Sequence, residues 1–478
     1  MTRGRLSDAT LGALPPGVLR PAYDRAATRV GVVHFGPGAF HRAHQAFFFD
    51  RMLAKDPGLA ISAVSLRSDA VRAALEPQQG LYSLTEREAE PTIRIVGSIR
   101  EVLTAPRDPA AVFARLADPA VRYVTATVTE KGYGLTSDGD LDLDHPDIRA
   151  DLAAPETPQT LVGWLVEGLR LRQAAGLAAP AVLSCDNLSG NGRKLRGAVL
   201  AFADARGQPE LARWIAGEAR FPDSMVDAIT PATDEAVRAE AARRLGLDDA
   251  WPIQRERFCQ WVVEDVLGPD APTFAEAGVT ITSDVAAHER AKLRLLNGAH
   301  STLAYVGLLR GHDTVAQAMA DPPLAAFVET LMPRDIAPTL RPTAGLDLDR
   351  YIGDILARFR NPAIAHRLSQ IAWDGSQKLP IRLFATIEDT LAAGRPLDRL
   401  AVGVAAWMAF IRRQARAEAE IVDPLAPELT RLGRAATGEP AHDVALFLSL
   451  TAVFPTPLAA EPSFRHALET AYAALPDI

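Results

Sequence analysis

The sequence predicts an α/β fold in its first half and a bundle of helices in its second half. Between residues 30 and 283, short apolar runs of strand length alternate with helical segments, which is typical of a mostly parallel, doubly wound sheet. From residue 285 onward strand signals nearly vanish, and helical periodicity is broken only by proline-bearing turns. We therefore predict a doubly wound α/β domain over residues 1–284 and a mostly α-helical domain over residues 285–478.

Length and composition set the first limits on function. A chain of 478 residues can form two hydrophobic cores, since a single core stops growing at about 250–300 residues. Its formal net charge of -8 argues against a nucleic-acid partner, which normally requires a basic surface. Only two cysteines occur, Cys185 and Cys259, too few for a disulfide framework or a four-thiolate zinc site.

The sequence shows neither a signal peptide nor an apolar run of about 18 residues. We therefore expect a cytoplasmic protein without a membrane partner. The sequence leaves the oligomeric state open.

A glycine turn follows the first predicted strand, residues 30–35. The turn is Gly36-Pro37-Gly38, and a helix is predicted over residues 39–53. Strand, glycine turn and helix in this order allow backbone N–H groups to approach a pyrophosphate, as in Rossmann-like dinucleotide-binding domains. Because His41 replaces the third glycine of the usual GxGxxG pattern, an ordinary tight turn remains an alternative.

The second predicted strand, residues 60–66, ends in Arg67-Ser68-Asp69. An acid at this position can accept hydrogen bonds from the adenosine ribose hydroxyls, which favours NAD over NADP. Arg67 would instead suit the 2′-phosphate of NADP. We predict NAD as the cofactor and Asp69 as its ribose ligand; the alternative is a solvated charge in a turn.

Further strands are predicted over residues 82–85, 92–99, 123–128, 181–184 and 279–283, with helices over 110–116 and 160–175. Ligands of doubly wound sheets bind at the carboxyl ends of the strands. Asn187 follows one such end and is either an amide donor to a substrate oxygen or a turn-forming residue. Asp227 lies in an apolar, loop-like segment over residues 221–233, where an acid is either paired or functional.

A polar trio stands out on an otherwise apolar helix predicted over residues 291–309. At about 100° per residue, Lys292, Asn297 and His300 fall within an arc of roughly 140°. Such a trio suits carbonyl and alcohol chemistry, because a lysine partly removed from water can accept a hydroxyl proton while the amide donates to an alkoxide. The alternative is a solvated helix face with His300 in the core.

Cationic side chains also cluster between residues 361 and 382. The cluster consists of His366, Arg367, Lys378 and Arg382. Such groups suit a clamp for a carboxylate on the substrate. The alternative is a set of surface charges around a Pro/Gly turn.

Six segments, taken together and in this order, resemble the polyol-specific long-chain dehydrogenase/reductase (mannitol dehydrogenase) family. They are residues 36–45 (GPGAFHRAHQ), 129–133 (TEKGY), 185–187 (CDN), 225–227 (MVD), Lys292 with 296–300 (LNGAH), and 374–378 (DGSQK).

The resemblance implies a zinc-independent, NAD-linked oxidoreductase that acts on a small-molecule sugar acid or polyol. It implies that Lys292 is the general acid/base, that Asn187 and Asn297 bind the oxyanion, that His300 holds a neighbouring hydroxyl and that Glu130 relays protons to solvent.

Further roles follow from the same resemblance. Asp227 and Lys378 would contact the substrate, and Gly36, Gly38 and Phe40 would receive the cofactor. His41 in place of the third glycine is usual in this family. No metal ligand is implied, and the ten histidines show no HExxH or comparable grouping.

Within the family, the segment from residue 360 to 382 looks more like the fructuronate reductase (D-mannonate oxidoreductase) branch. Mannitol dehydrogenases tend to have arginine at the position of Gln370 and Ser-Lys-Phe-Pro where this chain has Gln377-Lys-Leu-Pro380. We therefore predict interconversion of D-fructuronate and D-mannonate, with mannitol or arabinitol oxidation as the alternative. A sugar-acid-binding protein without activity and a metalloenzyme are the alternatives from other classes.

Overall fold

The computed structural model describes residues 3–475 and divides the chain into two compact units, Met1–Ala286 and Ala287–Ile478. The first unit is α/β and the second is helical, which confirms the predicted fold class. The boundary expected between residues 284 and 285 stays a prediction.

Eleven strands of the described residues form three sheets in the first unit. They are β1 (Val30–Phe35), β2 (Ala60–Ser65), β3 (Tyr82–Arg87), β4 (Thr92–Val96), β5 (Ile99–Thr104), β6 (Tyr123–Ala126), β7 (Ala181–Ser184), β8 (Ser224–Asp227), β9 (Ile253–Glu256), β10 (Gln260–Glu264) and β11 (Thr280–Thr282).

The central sheet is parallel throughout, with the strand order β5-β2-β1-β6-β7. Four of its strands are largely apolar and almost fully buried, because helices cover both faces of a doubly wound sheet. The edge strand β5 carries the half-buried Arg100 and Glu101. The strand order reverses between β1 and β6. A ligand of such a sheet binds in the crevice at the carboxyl ends of these two strands.

The helices of this unit pack into two aromatic-rich cores. One core contains Phe48, Phe49 and Trp261, and the other contains Phe35 and Trp164. The helices are α1 (Ala39–Ala43), α2 (Gln45–Met52), α3 (Ala70–Leu75), α4 (Pro109–Leu116), α5 (Pro146–Ala153), α6 (Leu161–Ala174), α7 (Asn191–Ala205), α8 (Pro209–Glu218), α9 (Glu235–Leu245) and α10 (Ala271–Glu276).

Two three-stranded sheets correct the prediction of a single sheet. Their strand orders are β4-β3-β9 and β11-β10-β8. The strand predicted over residues 92–99 ends early, at Val96, because the chain turns at Gly97, whose N–H bonds to the Asp50 carboxylate. Residue 99 instead begins β5, which was not predicted and joins a different sheet from β4. The loop-like segment predicted over residues 221–233 contains β8, so Asp227 is a strand residue.

The helix predicted over residues 39–53 is also wrong as one element. It breaks at His44, whose φ of -121° and ψ of -88° lie outside the helical region. The His44 ring bonds to the Gln260 carbonyl (2.8 Å) and stacks on Phe40 (ring centroids 4.9 Å apart). These contacts of the side chain compete with continuation of the helix.

The second unit is helical. Its longest helix, Asp398–Arg416, contains the fully buried Trp407 and packs against four other α-helices of the unit. The helices from the boundary onward are α11 (Val285–Ala291), α12 (Ala299–Leu309), α13 (Val315–Ala320), α14 (Pro322–Leu331), α15 (Leu348–Phe359), α16 (Leu368–Ala372), α17 (Gly375–Leu379), α18 (Ala385–Ala392), α19 (Asp398–Arg416), α20 (Ala426–Ala435), α21 (Pro440–Leu448), α22 (Thr456–Ala459) and α23 (Pro462–Ala474).

Three π-helical segments interrupt this unit: Lys292–Gly298, Met332–Ile336 and Pro380–Phe384. Two of them carry a proline in their first turn, and proline lacks the N–H that an α-helical hydrogen bond requires. The first segment corrects the uninterrupted α-helix predicted over residues 291–309.

None of the helices within residues 3–475 combines the length and apolar character needed to cross a lipid bilayer. The expected cytoplasmic location stays a prediction.

Candidate functional site

The glycine turn after β1 is built so that residue 36 cannot carry a side chain. Gly36 has a φ of +85°, and a Cβ there would lie 2.1 Å from the Thr127 carbonyl oxygen. Gly38 differs: it is exposed, and a Cβ there would meet nothing closer than 3.9 Å. The turn therefore closes tightly against the end of β6 and leaves space beside Gly38 for a ligand to approach the backbone.

A stacked pair of imidazoles fills the space behind this turn. The rings of His34 and His41 are parallel within 14°, with centroids 3.3 Å apart, and both are fully buried. His34 bonds to the Thr125 and Thr127 hydroxyls at 2.7 and 3.0 Å. Burial lowers the pKa of His34 to about 3 and that of His41 well below its usual range, so both rings are neutral at neutral pH. His41 occupies the place where a third glycine would allow close helix-strand packing.

Asp69 lies just beyond β2, exposed, at the start of α3. Its carboxylate accepts from the Thr104 hydroxyl (2.6 Å) and from Arg107 (3.0 Å). The hydrogen bond from Thr104, and then Arg107, lower the pKa of Asp69. A charged carboxylate at this edge of the sheet has the character expected of a ribose ligand, while Arg67 and Arg107 are cations beside it.

The segment after β6 is held by a carboxylate that follows β7. Asp186 accepts from the backbone N–H groups of Val128 (2.9 Å) and Thr129 (3.1 Å) and from the Tyr133 hydroxyl (2.6 Å). Burial raises the pKa of Asp186, and these three donors oppose that shift. Glu130 follows Thr129 directly and is exposed, so its carboxylate faces water.

Asn187 follows β7, and Asp227 ends β8. Asn187 is exposed, and Asp227 is buried. The fully buried Asn191 side chain joins the two strands, because its amide group donates to the Ser184 carbonyl and exchanges hydrogen bonds with the Ser224 backbone. Asn191 thus joins the end of β7 to the start of β8, the strand that carries Asp227 at its other end.

In the second unit, the π-helical turn places Lys292 and Asn297 on one side. Residues five apart are joined by the backbone hydrogen bond of a π-helix, so these two lie one turn apart instead of about 140° apart as in an α-helix. Both are half-buried. Gly298 ends the segment, and a Cβ there would lie 3.0 Å from the Arg382 carbonyl oxygen, so the two π-helical segments pack closely.

His300 begins the next turn of helix and is 8% exposed. Its ring stacks on Phe359 with centroids 5.0 Å apart and meets the edge of His366 at 4.8 Å. Burial, and then His366, Arg382, Arg358 and Lys378, lower the pKa of His300 well below its usual range. The ring is therefore neutral and can hydrogen-bond a hydroxyl.

Three cationic side chains and one imidazole lie around His300, and we call them the cationic cluster: Arg358, Lys378, Arg382 and His366. Burial, and then Arg358, lower the pKa of His366, so its ring is neutral at neutral pH and the positive charge of the cluster comes from the other three residues. Arg382 donates to the Ser301 hydroxyl at 3.0 Å, and Lys378 lies 3.4 Å from the Ile371 carbonyl oxygen. Burial, and then Arg382, lower the pKa of Lys378. The structure thus brings together three of the four predicted clamp residues.

Arg367 is the exception among the predicted clamp residues. It is exposed at the start of α16. Among the described residues, it is not one of the side chains of the cationic cluster. Its backbone instead pairs with Thr314. In the same range, no group of three or more His, Cys, Asp or Glu side chains is placed to hold a metal ion.

Sequence reasoning missed two residues of these sites, Asp186 and Arg358. Arg358 lies on the buried stripe of α15, seven residues after Tyr351 and three after Ile355, and this spacing could have identified it. Asp186 lies in the segment 185–187 that resembles the family, but only its neighbour Asn187 was predicted to have a role in the site. An acid two residues after the end of a buried strand is the signal that marks it.

A doubly wound parallel sheet with this glycine turn, followed by a helical unit with an amine, an amide and an imidazole, is the architecture of a two-domain dehydrogenase. Two family models cover nearly the whole chain: the Mannitol dehydrogenase Rossmann domain matches residues 30–272, and the Mannitol dehydrogenase C-terminal domain matches residues 284–476. The chain therefore belongs to the mannitol dehydrogenase family, which confirms the resemblance seen in the sequence.

Relatives extend over most of the chain. The chain is 41% identical over 414 residues to Polyol:NADP oxidoreductase of Gluconobacter oxydans (strain 621H), covering 84% of each protein. It is 39% identical over 465 residues to D-mannonate oxidoreductase of Escherichia coli (strain K12), covering 95% of each. A solved structure of Pseudomonas fluorescens mannitol 2-dehydrogenase, a ternary complex with NAD and D-mannitol, matches with 38% identity and a TM-score of 0.81 over 98% of this chain and 96% of that chain. The chain is thus an oxidoreductase of a family that acts on CH–OH groups.

Proposed function

We propose that this oxidoreductase interconverts D-fructuronate and D-mannonate with NAD(H) as cofactor. The cationic cluster around His300 is the observation that carries the proposal. A sugar acid differs from a neutral polyol by its carboxylate, and a site with several cations favours that group.

The electrostatics of the cluster support an anionic ligand. Burial and the neighbouring guanidinium of Arg382 both lower the pKa of Lys378, which means that its positive charge is disfavoured in this surrounding. A bound carboxylate would reverse this effect, because it offsets the repulsion between like charges and accepts charge-assisted hydrogen bonds. Binding of a neutral polyol gains nothing comparable.

The glycine turn fits a dinucleotide. At Gly36 a side chain is excluded by the Thr127 carbonyl, and beside Gly38 the backbone is open. We propose that Gly36, Gly38 and Phe40 receive the cofactor and that Asp69 binds its ribose hydroxyls. When bound, the nicotinamide supplies or accepts the hydride.

The protein's own residues would handle the proton and the oxygen. We propose that Lys292 takes the hydroxyl proton during oxidation and returns it during reduction. Asn187 and Asn297 donate to the developing alkoxide, and neutral His300 holds the adjacent hydroxyl. Exposed Glu130 exchanges the proton with water, and Asp227 and Lys378 orient the distal part of the substrate.

A substrate panel tests the proposal. Initial oxidation rates would be measured with mannonate, mannitol and arabinitol, each with NAD and with NADP. We expect the highest kcat/KM with mannonate and NAD. A clear preference for mannitol or arabinitol would contradict the assignment of the cationic cluster to a carboxylate.

A second candidate is oxidation of neutral polyols. The relatives named polyol oxidoreductase and mannitol 2-dehydrogenase are as similar to this chain as D-mannonate oxidoreductase. Arg67 and Arg107 near Asp69 also suit the 2′-phosphate of NADP. The mannitol and NADP arms of the same panel decide for or against this candidate.

A further inference from the structure

The segment that carries Glu130 contains a strained residue. Thr129 has a φ of +66° and a ψ of 161°. This region of backbone conformation is essentially reserved for glycine, and a residue with a Cβ stays there only if its surroundings hold it. Glu130 follows at once and begins a short 3-10 turn, Glu130–Tyr133, in which the Gly132 N–H bonds to the Thr129 carbonyl at 2.9 Å.

Asp186 supplies the restraint. One carboxylate oxygen accepts from the Thr129 N–H at 3.1 Å, and the other accepts from the Val128 N–H at 2.9 Å and the Tyr133 hydroxyl at 2.6 Å. The Tyr133 hydroxyl in turn lies 2.6 Å from the Ser184 hydroxyl at the end of β7. The Asp186 carboxylate therefore restrains the backbone at Val128 and Thr129 directly, and it restrains the turn after Thr129 through the Tyr133 hydroxyl.

We propose that Asp186 is a positioning residue for the reaction: it holds Thr129 in its strained conformation and thereby fixes the placement of Glu130, the next residue. The inference rests on the proposed function, because it assumes that Glu130 and Asn187 serve the reaction. Since Asn187 is the residue after Asp186, movement of the carboxylate displaces both groups. Asp186 itself touches neither substrate nor cofactor in this account.

The central variant is Asp186→Asn, which keeps the shape but removes the charge that strengthens the two backbone hydrogen bonds. We expect kcat for the preferred substrate to fall by about a hundredfold, because donors and proton relays lose their placement. The Kd for NADH should change by less than about threefold.

A matched control separates positioning from stability. Asp151 is a buried carboxylate that, like the half-buried Asp186, accepts two backbone N–H groups and one hydroxyl, here from Gln159 and Thr160. Asp151→Asn should lower the urea midpoint to a similar degree as Asp186→Asn yet leave kcat within about twofold. Equal losses of kcat in the two variants would overturn the proposal.

A rescue variant tests the role of strain. Glycine adopts the Thr129 conformation without steric penalty, so Asp186→Asn combined with Thr129→Gly should recover about tenfold of the lost kcat. Absence of recovery would overturn the proposal. If Asp186→Asn does not fold, Tyr133→Phe removes one donor and should lower kcat by about fivefold, with a fall in the urea midpoint no larger than that of Asp151→Asn, because a buried hydrogen bond is lost in each. Parental kcat in Tyr133→Phe would overturn the proposal.

Failure of the proposed function has a different signature. In that case the parent protein turns over neither mannonate nor the neutral polyols. A parent that is active, with Asp186→Asn equally active, would overturn only the role of Asp186.

Discussion

Replacing Gly36 by alanine should destabilise the first unit, and the loss in free energy of unfolding can be worked out from the geometry of the glycine turn. The φ of +85° costs a residue with a Cβ about 1–2 kcal/mol. The new Cβ would lie 2.1 Å from the Thr127 carbonyl oxygen, and relief of such an overlap by backbone movement costs about 1–3 kcal/mol. Together we expect a loss of about 2–5 kcal/mol in the free energy of unfolding.

Gly38→Ala is the matched control for this prediction. Gly38 has a φ of -73°, and a Cβ there would meet nothing closer than 3.9 Å, so stability should change by less than about 0.5 kcal/mol. Its methyl group would instead occupy the open side of the turn, and we expect the Kd for NADH to rise about tenfold. Urea unfolding and NADH fluorescence titration measure both effects. An unchanged urea midpoint for Gly36→Ala, or parental NADH affinity for Gly38→Ala, would refute the reasoning.

Three further predictions concern the clamp, the π-helical contact and pH. Lys378→Met should raise KM for mannonate by about tenfold or more and KM for mannitol by less than about threefold, because it removes charge and keeps the chain length; equal changes would contradict the clamp. Gly298→Ala should lower stability by about 1–3 kcal/mol by pushing on the Arg382 carbonyl, whereas Gly353→Ala, with nothing within 4 Å, should not destabilise. Burial lowers the pKa of His34 to about 3 in the folded protein, whereas the same imidazole has a pKa of about 6.5 in the unfolded chain. The unfolded state therefore binds the proton first, and the free energy of unfolding falls as the pH drops below about 6.5. The loss of stability from this group is about 2 kcal/mol at pH 5. Urea unfolding of His34→Asn at several pH values should therefore show a weaker pH dependence of stability than the parent protein. An unchanged pH dependence would show that His34 is not buried in neutral form.

Four of the five strands of the central sheet were predictable from the sequence because they are largely apolar on both faces. The fifth, β5, carries Arg100 and Glu101 and was not predicted. β1, β2 and β7 are continuous apolar or small-residue runs, as expected for parallel strands covered by helices. The small sheets were not predictable in the same way. β9 reads Ile-Gln-Arg-Glu, and the burial of Arg255 and Glu256 in this strand depends on partners far away in the sequence.

Strand partners were harder to predict than strands. The hairpin of β3 and β4 was expected as two strands of the main sheet, because alternation of strands and helices says nothing about which strands pair. The turn at Gly97 and its contacts with Asp50 and Arg25 direct β4 away from β5.

The polar side chains of the candidate site were predictable, but their arrangement was not. Lys292, Asn297 and His300 are conspicuous on an apolar helix, yet a periodicity of about 100° per residue cannot reveal a π-helical turn. The turn depends on close packing of Gly298 against a second π-helical segment, a contact between residues more than 80 positions apart. Arg358 and Asp186 were missed because their roles come from the neighbours that folding brings to them.

The role of Lys292 is tested most directly by the turnover and cofactor binding of Lys292→Ala. The account predicts a Kd for NADH within about threefold of the parent and a loss of kcat of about 10²–10⁴-fold with the preferred substrate. Turnover close to that of the parent protein would contradict the assignment of Lys292 as general acid/base.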